Sequence, residues 1–115
     1  MPGSTLYKIC PRELWQAAER EGAFRGAPVD LRDGYIHLSA ADQVVETAAR
    51  HFAGMDDLVL VAVDPAALAG ALRWEPSRGG ALFPHLYADL PLAAVRWTAA
   101  LPLDATGRHR FPPLS

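Results

Sequence analysis

The chain is short of several things, and each shortage excludes a class of protein. It has one cysteine in 115 residues, Cys10. A single thiol closes no internal disulfide and builds no thiolate metal cage, so the chain reads as cytosolic. It has no excess of either charge: eleven basic and thirteen acidic residues leave a net charge of −2. That balance argues against broad, charge-driven binding to nucleic acid or anionic membrane, while leaving room for a small basic pocket. No apolar run approaches the roughly 20 residues of a spanning helix. Met1-Pro2-Gly3-Ser4-Thr5 lacks the basic start and apolar stretch of a leader peptide. His-x-His and His-Glu-x-x-His spacings are missing, which argues against a metal site. The Lys-Ser/Thr of a P-loop, Gly-x-Gly-x-x-Gly and Gly-x-Ser-x-Gly are missing too, so no phosphate loop or serine-hydrolase elbow is written into the chain.

What is present suits one domain spanning 1–115, half of it hydrophobic and long enough for a single core. Leu6 to Ile9 alternates like a strand. Pro11 as first helical residue and Glu13 in the first turn open a helix with Leu14, Trp15 and Ala18 on one face, ended by Gly22. The stretch 23–32, with Gly26, Pro28 and Asp30, reads as a loop, and Asp33-Gly34 as a turn. Tyr35 to Leu38 is a short strand. Ser39 with Asp42 three residues on resembles a capping box. It opens a second helix with Val44, Val45, Ala48 and Phe52 as its apolar face and Gly54 as its stop. Leu58 to Val63 is unbroken apolar sequence, expected as a central strand covered on both sides. Asp64-Pro65 caps a short helix through Leu68, ended by Gly70. Leu72 to Glu75 is a strand with Arg73 and Glu75 on one face and Trp74 on the other. Phe83 to Tyr87 is irregular or a short strand, and Ala94 to Ala99 is the last clear strand. The tail from Pro102 is extended. Helices come early and strands late, which favours an α+β fold.

Period-two alternation puts Tyr35, His37 and Ser39 on one side of their strand and turns Ile36 and Leu38 to the core. A helix beginning at Ser39 would offer free N–H groups to an anion. The plainer alternative is a hydrogen-bonded structural histidine and a simple cap, and the residues leave both open. His85 and Tyr87 alternate in the same way around Leu86, and Arg73 with Glu75 makes a third pair. Brought together, a histidine, a carboxylate and an arginine would grip and polarise a sugar or phosphate. Against that stands a surface ion pair with a tyrosine at a sheet edge. His51 reads as exposed, His109 as solvated in a basic tail, and Arg78-Gly79-Gly80 as a flexible turn. Cys10, before Pro11 at a helix start, could carry a lowered pKa, against the ordinary reading of a half-buried small residue.

Tyr7-Lys8-Ile9, Asp33-Gly34-Tyr35-Ile36-His37-Leu38-Ser39, Leu72-Arg73-Trp74-Glu75 and Phe83-Pro84-His85-Leu86-Tyr87 followed by Leu90-Pro91-Leu92 resemble a family of small bacterial proteins. That family is domain of unknown function 952, and the likeness covers nearly the whole chain. More distantly, the order of segments is similar to the catalytic half of RNA 2′-phosphotransferases, members of the ADP-ribosyltransferase superfamily. Leu6 to Ile9 would match their first motif strand, Tyr35 to Ser39 their His-Val-His-Leu-Ser type strand and Val59 to Asp64 their Val-Leu-Ile-x-Ile-Asp type strand. This resemblance implies a small split or strongly bent mixed β-sheet with two main helices, and a cleft for NAD or an ADP-ribosylated intermediate. The chain departs from it where Tyr7-Lys8-Ile9 stands in place of His-Gly-Thr. It also lacks the basic lobe of the phosphotransferases, so RNA binding does not carry over.

The expectation is a cytosolic monomer that binds a nucleotide-like ligand of the NAD or ADP-ribose type and transfers or hydrolyses part of it. Glu75 and His37 would be catalytic. His37 would also hold a ribose or phosphate, Ser39 would present a helix start, and Arg73 would neutralise phosphate. His85, Tyr87, Tyr35 and Lys8 would complete the wall, with no metal. The alternative is a module that kept the fold and lost the chemistry, which the missing first-motif histidine favours. Chemistry at Cys10 is a third idea with no helper residue in view.

Overall fold

The computed structural model describes residues 4–68 and 70–114, and at Arg78 the backbone. Met1 to Gly3, on which part of the leader expectation rests, lie outside the described residues.

Strand β1 (Leu6–Pro11) leads into helix α1 (Arg12–Glu21), which Gly22 ends in the left-handed conformation. Pro11 is thus the last residue of the strand, and the helix opens at Arg12. A short strand β2 (Ala23–Phe24) follows, then helix α2 (Pro28–Asp33). This helix corrects the expected loop. Pro28 stands at its first position, where a missing N–H does no harm, and the Asp30 carboxylate accepts a 2.8 Å hydrogen bond from the Ala27 N–H. Gly34, at φ 89°, ends it. The remaining elements are β3 (Ile36–His37), β4 (Ser39–Ala40), α3 (Val44–His51), β5 (Leu58–Val63), β6 (Leu72–Pro76), β7 (Leu82–Leu86), β8 (Leu90–Pro91) and β9 (Val95–Ala100), with single 3-10 turns at Pro65–Leu68, where a short helix was expected, Arg78–Gly80 and Leu92–Ala94.

Four strands form one sheet in the order β4-β1-β5-β9, and three form another in the order β3-β7-β6, while β2 pairs with β8. Every one of these pairings is antiparallel, so the split sheet is as expected but the mixed pairing is not. Three α-helices, rather than two main helices, accompany the sheets among the described residues.

The apolar run of β5 is fully buried because both its faces are covered. Val59, Val61 and Val63 join Trp15 and Ala18 of α1, together with Ile36, Leu38 and Leu86. Leu58, Leu60 and Ala62 turn the other way, to Val44 and Ala48 of α3. Each fully buried Leu or Val here contributes about 1.5–3 kcal/mol of transfer free energy. Val45 lies off that face and is 52% exposed, a correction to the expected helix stripe.

Ser39 does not cap a helix. It lies in β4, opposite Tyr7 of β1, and its hydroxyl pairs with Thr47 Oγ1 at 3.0 Å. Strand pairing takes up the backbone there, and α3 begins only at Val44. Cys10 is fully buried, beyond the half-buried small residue of the ordinary reading, and burial pushes its thiol up to about 11 rather than down as at an exposed helix start. The tail folds back through a bridge between Leu103 and His109, and Phe111 and Leu114 pack on the α3 side. His109 Nε2 lies 2.7 Å from the Met55 carbonyl, so that ring is tied to the body of the domain. Among the described residues, no helix is long and apolar enough to cross a membrane.

Candidate functional site

The register of β3 against β7 sets His37 opposite His85. Behind His37 stands Asp30 of α2, only 2% exposed. Its Oδ1 accepts from the His37 backbone N–H at 3.0 Å and from His37 Nδ1 at 2.6 Å. Lys8 Nζ lies 3.0 Å from Oδ1, 2.8 Å from Oδ2 and 3.1 Å from the His37 carbonyl. Three acceptor oxygens therefore face the three N–H bonds of the ammonium group. Burial alone would raise the Asp30 carboxyl. The hydrogen bond from the His37 ring, the Lys8 charge and hydrogen bond, and the His37 N–H outweigh it and hold the group at about 2. The remaining nitrogen of His37, Nε2, lies 3.0 Å from Asp33 Oδ2. Asp33 is itself held below the usual carboxylate range, first by its hydrogen bond from Arg32.

His85 is built differently. It is 3% exposed, and its Nδ1 lies 2.8 Å from Glu75 Oε1, which also accepts from the Tyr87 hydroxyl at 2.7 Å. Those two hydrogen bonds, Tyr87 first, hold the Glu75 carboxyl below its ordinary value. An ionised carboxylate only accepts, so Nδ1 carries the proton, and Nε2 of the neutral ring is the free acceptor. Among the described residues Nε2 has no hydrogen-bond partner. Tyr35 stacks on the His85 ring at 4.1 Å between centroids and 25° between planes, and it touches His37 at 4.7 Å and Tyr87 at 5.2 Å. Burial pushes the Tyr35 phenol up, with Asp33 and Glu75 adding to it. Arg73 lies 5.5 Å from the centre of the Tyr87 ring, a cation–π position.

A cleft of about 480 Å³ opens beside these groups. His37, His85, Lys8 and Ser39 line it, with apolar walls that include Phe52 and Phe83. Tyr35 and Tyr87 line instead a smaller hollow of about 280 Å³. Glu75 and Arg73 line neither; they stand behind the histidine. The candidate residues other than Ser39 and Lys8 thus form one ring cluster, but only part of that cluster meets the cleft. His51, singled out only as exposed, lines the cleft as well. Asp30 was missed by sequence reasoning. The available signal was an aspartate two residues after Pro28, where it caps a helix start, at short range from His37. Among the described residues there is no cluster of three or more His, Cys, Asp or Glu that could hold a metal ion.

A family model described as protein of unknown function DUF952 matches residues 9–98. The chain belongs to the DUF952 family. A crystal structure of protein CC0527 from Caulobacter crescentus is 51% identical, over 92% of this chain and 93% of that one, with a TM-score of 0.88. The solution NMR structure of CC0527 is also 51% identical, over 91% and 90% of the two chains, with a TM-score of 0.83. No curated protein matches the chain. Neither the DUF952 model nor the CC0527 structures connect the chain to ADP-ribosyltransferases, so that likeness rests on the resemblance of its motifs alone.

Proposed function

We propose that the cleft binds a nucleotide-like small molecule of the NAD or ADP-ribose type and presents His85 to it as a proton acceptor. The observation that carries this reading is the divided state of His85: Nδ1 is held by Glu75, while among the described residues Nε2 has no hydrogen-bond partner, and His85 lines the cleft. A neutral imidazole fixed in one tautomer is suited to take a hydroxyl proton from a ligand or water placed at hydrogen-bonding distance. The volume of about 480 Å³ lies in the ordinary range of ligand pockets, and Phe52 and Phe83 offer walls for a flat ring. The ligand class comes from the ADP-ribosyltransferase resemblance.

In this reading the expected roles change hands. Glu75 orients His85 and does not meet the ligand. His37 holds β3 in place, since both its nitrogens already face carboxylates. One observation favours the plainer reading of a binding module without chemistry. Lys8, at the first-motif strand, has an acceptor for each of its N–H bonds inside the protein.

The test is an NMR titration with NAD, ADP-ribose and 2′-phosphorylated nucleotides. Shifts gathered at His85, His37 and Ser39 are expected, and their absence at millimolar ligand would sink the nucleotide reading. A turnover assay with NAD on the wild type and His85→Ala then separates an enzyme from a binder.

A further inference from the structure

We infer that the cleft recognises the nucleoside part of its ligand and leaves phosphate groups in solvent. The inference rests on the proposed function and names which chemistry of a nucleotide-like molecule the site takes.

Recognition of a phosphate or pyrophosphate requires an uncompensated cation or a free row of backbone N–H groups. Among the described side chains that line the cleft, the fixed cations are already matched. Lys8 sits 2.8 Å from Asp30, with both side chains at most 5% exposed. Drawing its ammonium toward a ligand phosphate would strand the buried carboxylate, a costly exchange. Arg32 lies 3.1 Å from Asp33, and that same carboxylate meets His37 Nε2 through its other oxygen. Lys8 and Arg32 are thus each matched by an aspartate, with His37 between the two carboxylates. Arg73, expected to neutralise phosphate, lies over the Tyr87 ring and outside the lining. The helix start expected at Ser39 does not exist there, because Ser39 is paired into the sheet.

What remains at the cleft suits an uncharged, hydroxyl-bearing molecule. His85 Nε2 is a free acceptor for a hydroxyl proton. Ser39, whose hydroxyl also meets Thr47, and Ser77 line the same space, together with the apolar Phe52 and Phe83. A ribose with an attached base matches that pattern: hydroxyls toward the histidine, and a ring against the phenylalanines.

The experiment compares adenosine, ADP-ribose and inorganic pyrophosphate as titrants of the isotope-labelled protein, at about 50 mM and about 200 mM salt. Adenosine and ADP-ribose are expected to bind within about threefold of each other at both salt concentrations, with pyrophosphate moving no signal at His85. A larger preference for ADP-ribose that shrinks as salt rises overturns this inference while the proposed function stands. No binding of either adenosine or ADP-ribose overturns both. The variant Asp33→Asn supplies a second arm, because it removes the carboxylate that matches Arg32. The ratio of ADP-ribose to adenosine affinity is expected to rise by about twofold to fivefold, the scale of one exposed ion pair. An unchanged ratio overturns the charge-matching argument.

Discussion

His37 and His85 face each other across paired strands, 5.6 Å apart between ring centres, and each turns Nδ1 to a carboxylate. For His37 the partner is Asp30, which is sealed in the domain and shared with Lys8. For His85 it is Glu75, which is half-exposed and shared with the Tyr87 hydroxyl. The decisive difference lies on the opposite nitrogen. His37 Nε2 meets Asp33, whereas among the described residues His85 Nε2 has no hydrogen-bond partner. Two histidines with the same first contact therefore divide into a brace and an open acceptor. The number of free lone pairs, rather than the residue type, separates them.

The largest expected effect lies on the side of the brace. Asp30→Ala leaves the Lys8 ammonium buried without its counter-charge and should destabilise the fold by about 3–5 kcal/mol. Urea unfolding measures this, and a loss below about 1 kcal/mol would show that the Asp30 cluster is not structural. Acid should reach the same cluster. The folded Asp30 carboxyl titrates at about 2, below its ordinary 3.8. Since the folded value is the depressed one, its stabilisation is complete above about pH 5 and is lost as pH falls through about 2. That contribution is about 2 kcal/mol. Wild type should lose it between pH 5 and pH 2 relative to Asp30→Asn, and parallel pH profiles for the two would contradict the assignment.

The next pair of variants tests the contrast directly. His85→Gln should weaken ligand binding by about threefold to tenfold, the scale of one hydrogen bond, and cost about 1–3 kcal/mol of stability because the ring is buried and bonded to Glu75. His37→Gln should lower stability by about 1–2 kcal/mol and leave affinity within about twofold. Equal effects of the two on affinity would erase the distinction. The smallest effect is expected from Tyr87→Phe. Removing that hydroxyl takes away the foremost cause of the lowered Glu75 carboxyl, so its titration, followed by carbon NMR, should move up toward the ordinary value. A Glu75 titration that stays put would mean that His85 alone holds it.

Much of the scaffold was legible because its causes are local. The run Leu58 to Val63 has no polar residue and forms the fully buried β5. Gly22 ends a helix at positive φ, as its position after the periodic stretch suggested, and Gly34 lies at positive φ where a turn was expected. Alternation around Ile36 and Leu86 separated the core-facing side chains from the site-facing ones. Three readings failed where a distant partner overrode a local pattern. Ser39 resembled a cap, but β1 takes its backbone into a strand. The stretch around Pro28 resembled a loop, but its Asp30 binds groups on two other strands. The second helix was given Val45 on its apolar face, but the core lies to the side of Val44 and Ala48 and leaves Val45 exposed.

The amino-acid order by itself determined which segments bury apolar surface and which face each strand turns inward, because periodicity and turn chemistry act over a few residues. Only the tertiary structure decided the partner of each ring nitrogen. Lys8 and Asp30 lie 22 positions apart, and His37 and His85 meet through a strand register that no short pattern encodes. Hydrogen bonds depend on distances of a few tenths of an ångström, and those are set where separate elements pack. Whether a histidine braces the fold or faces a ligand is settled at that level.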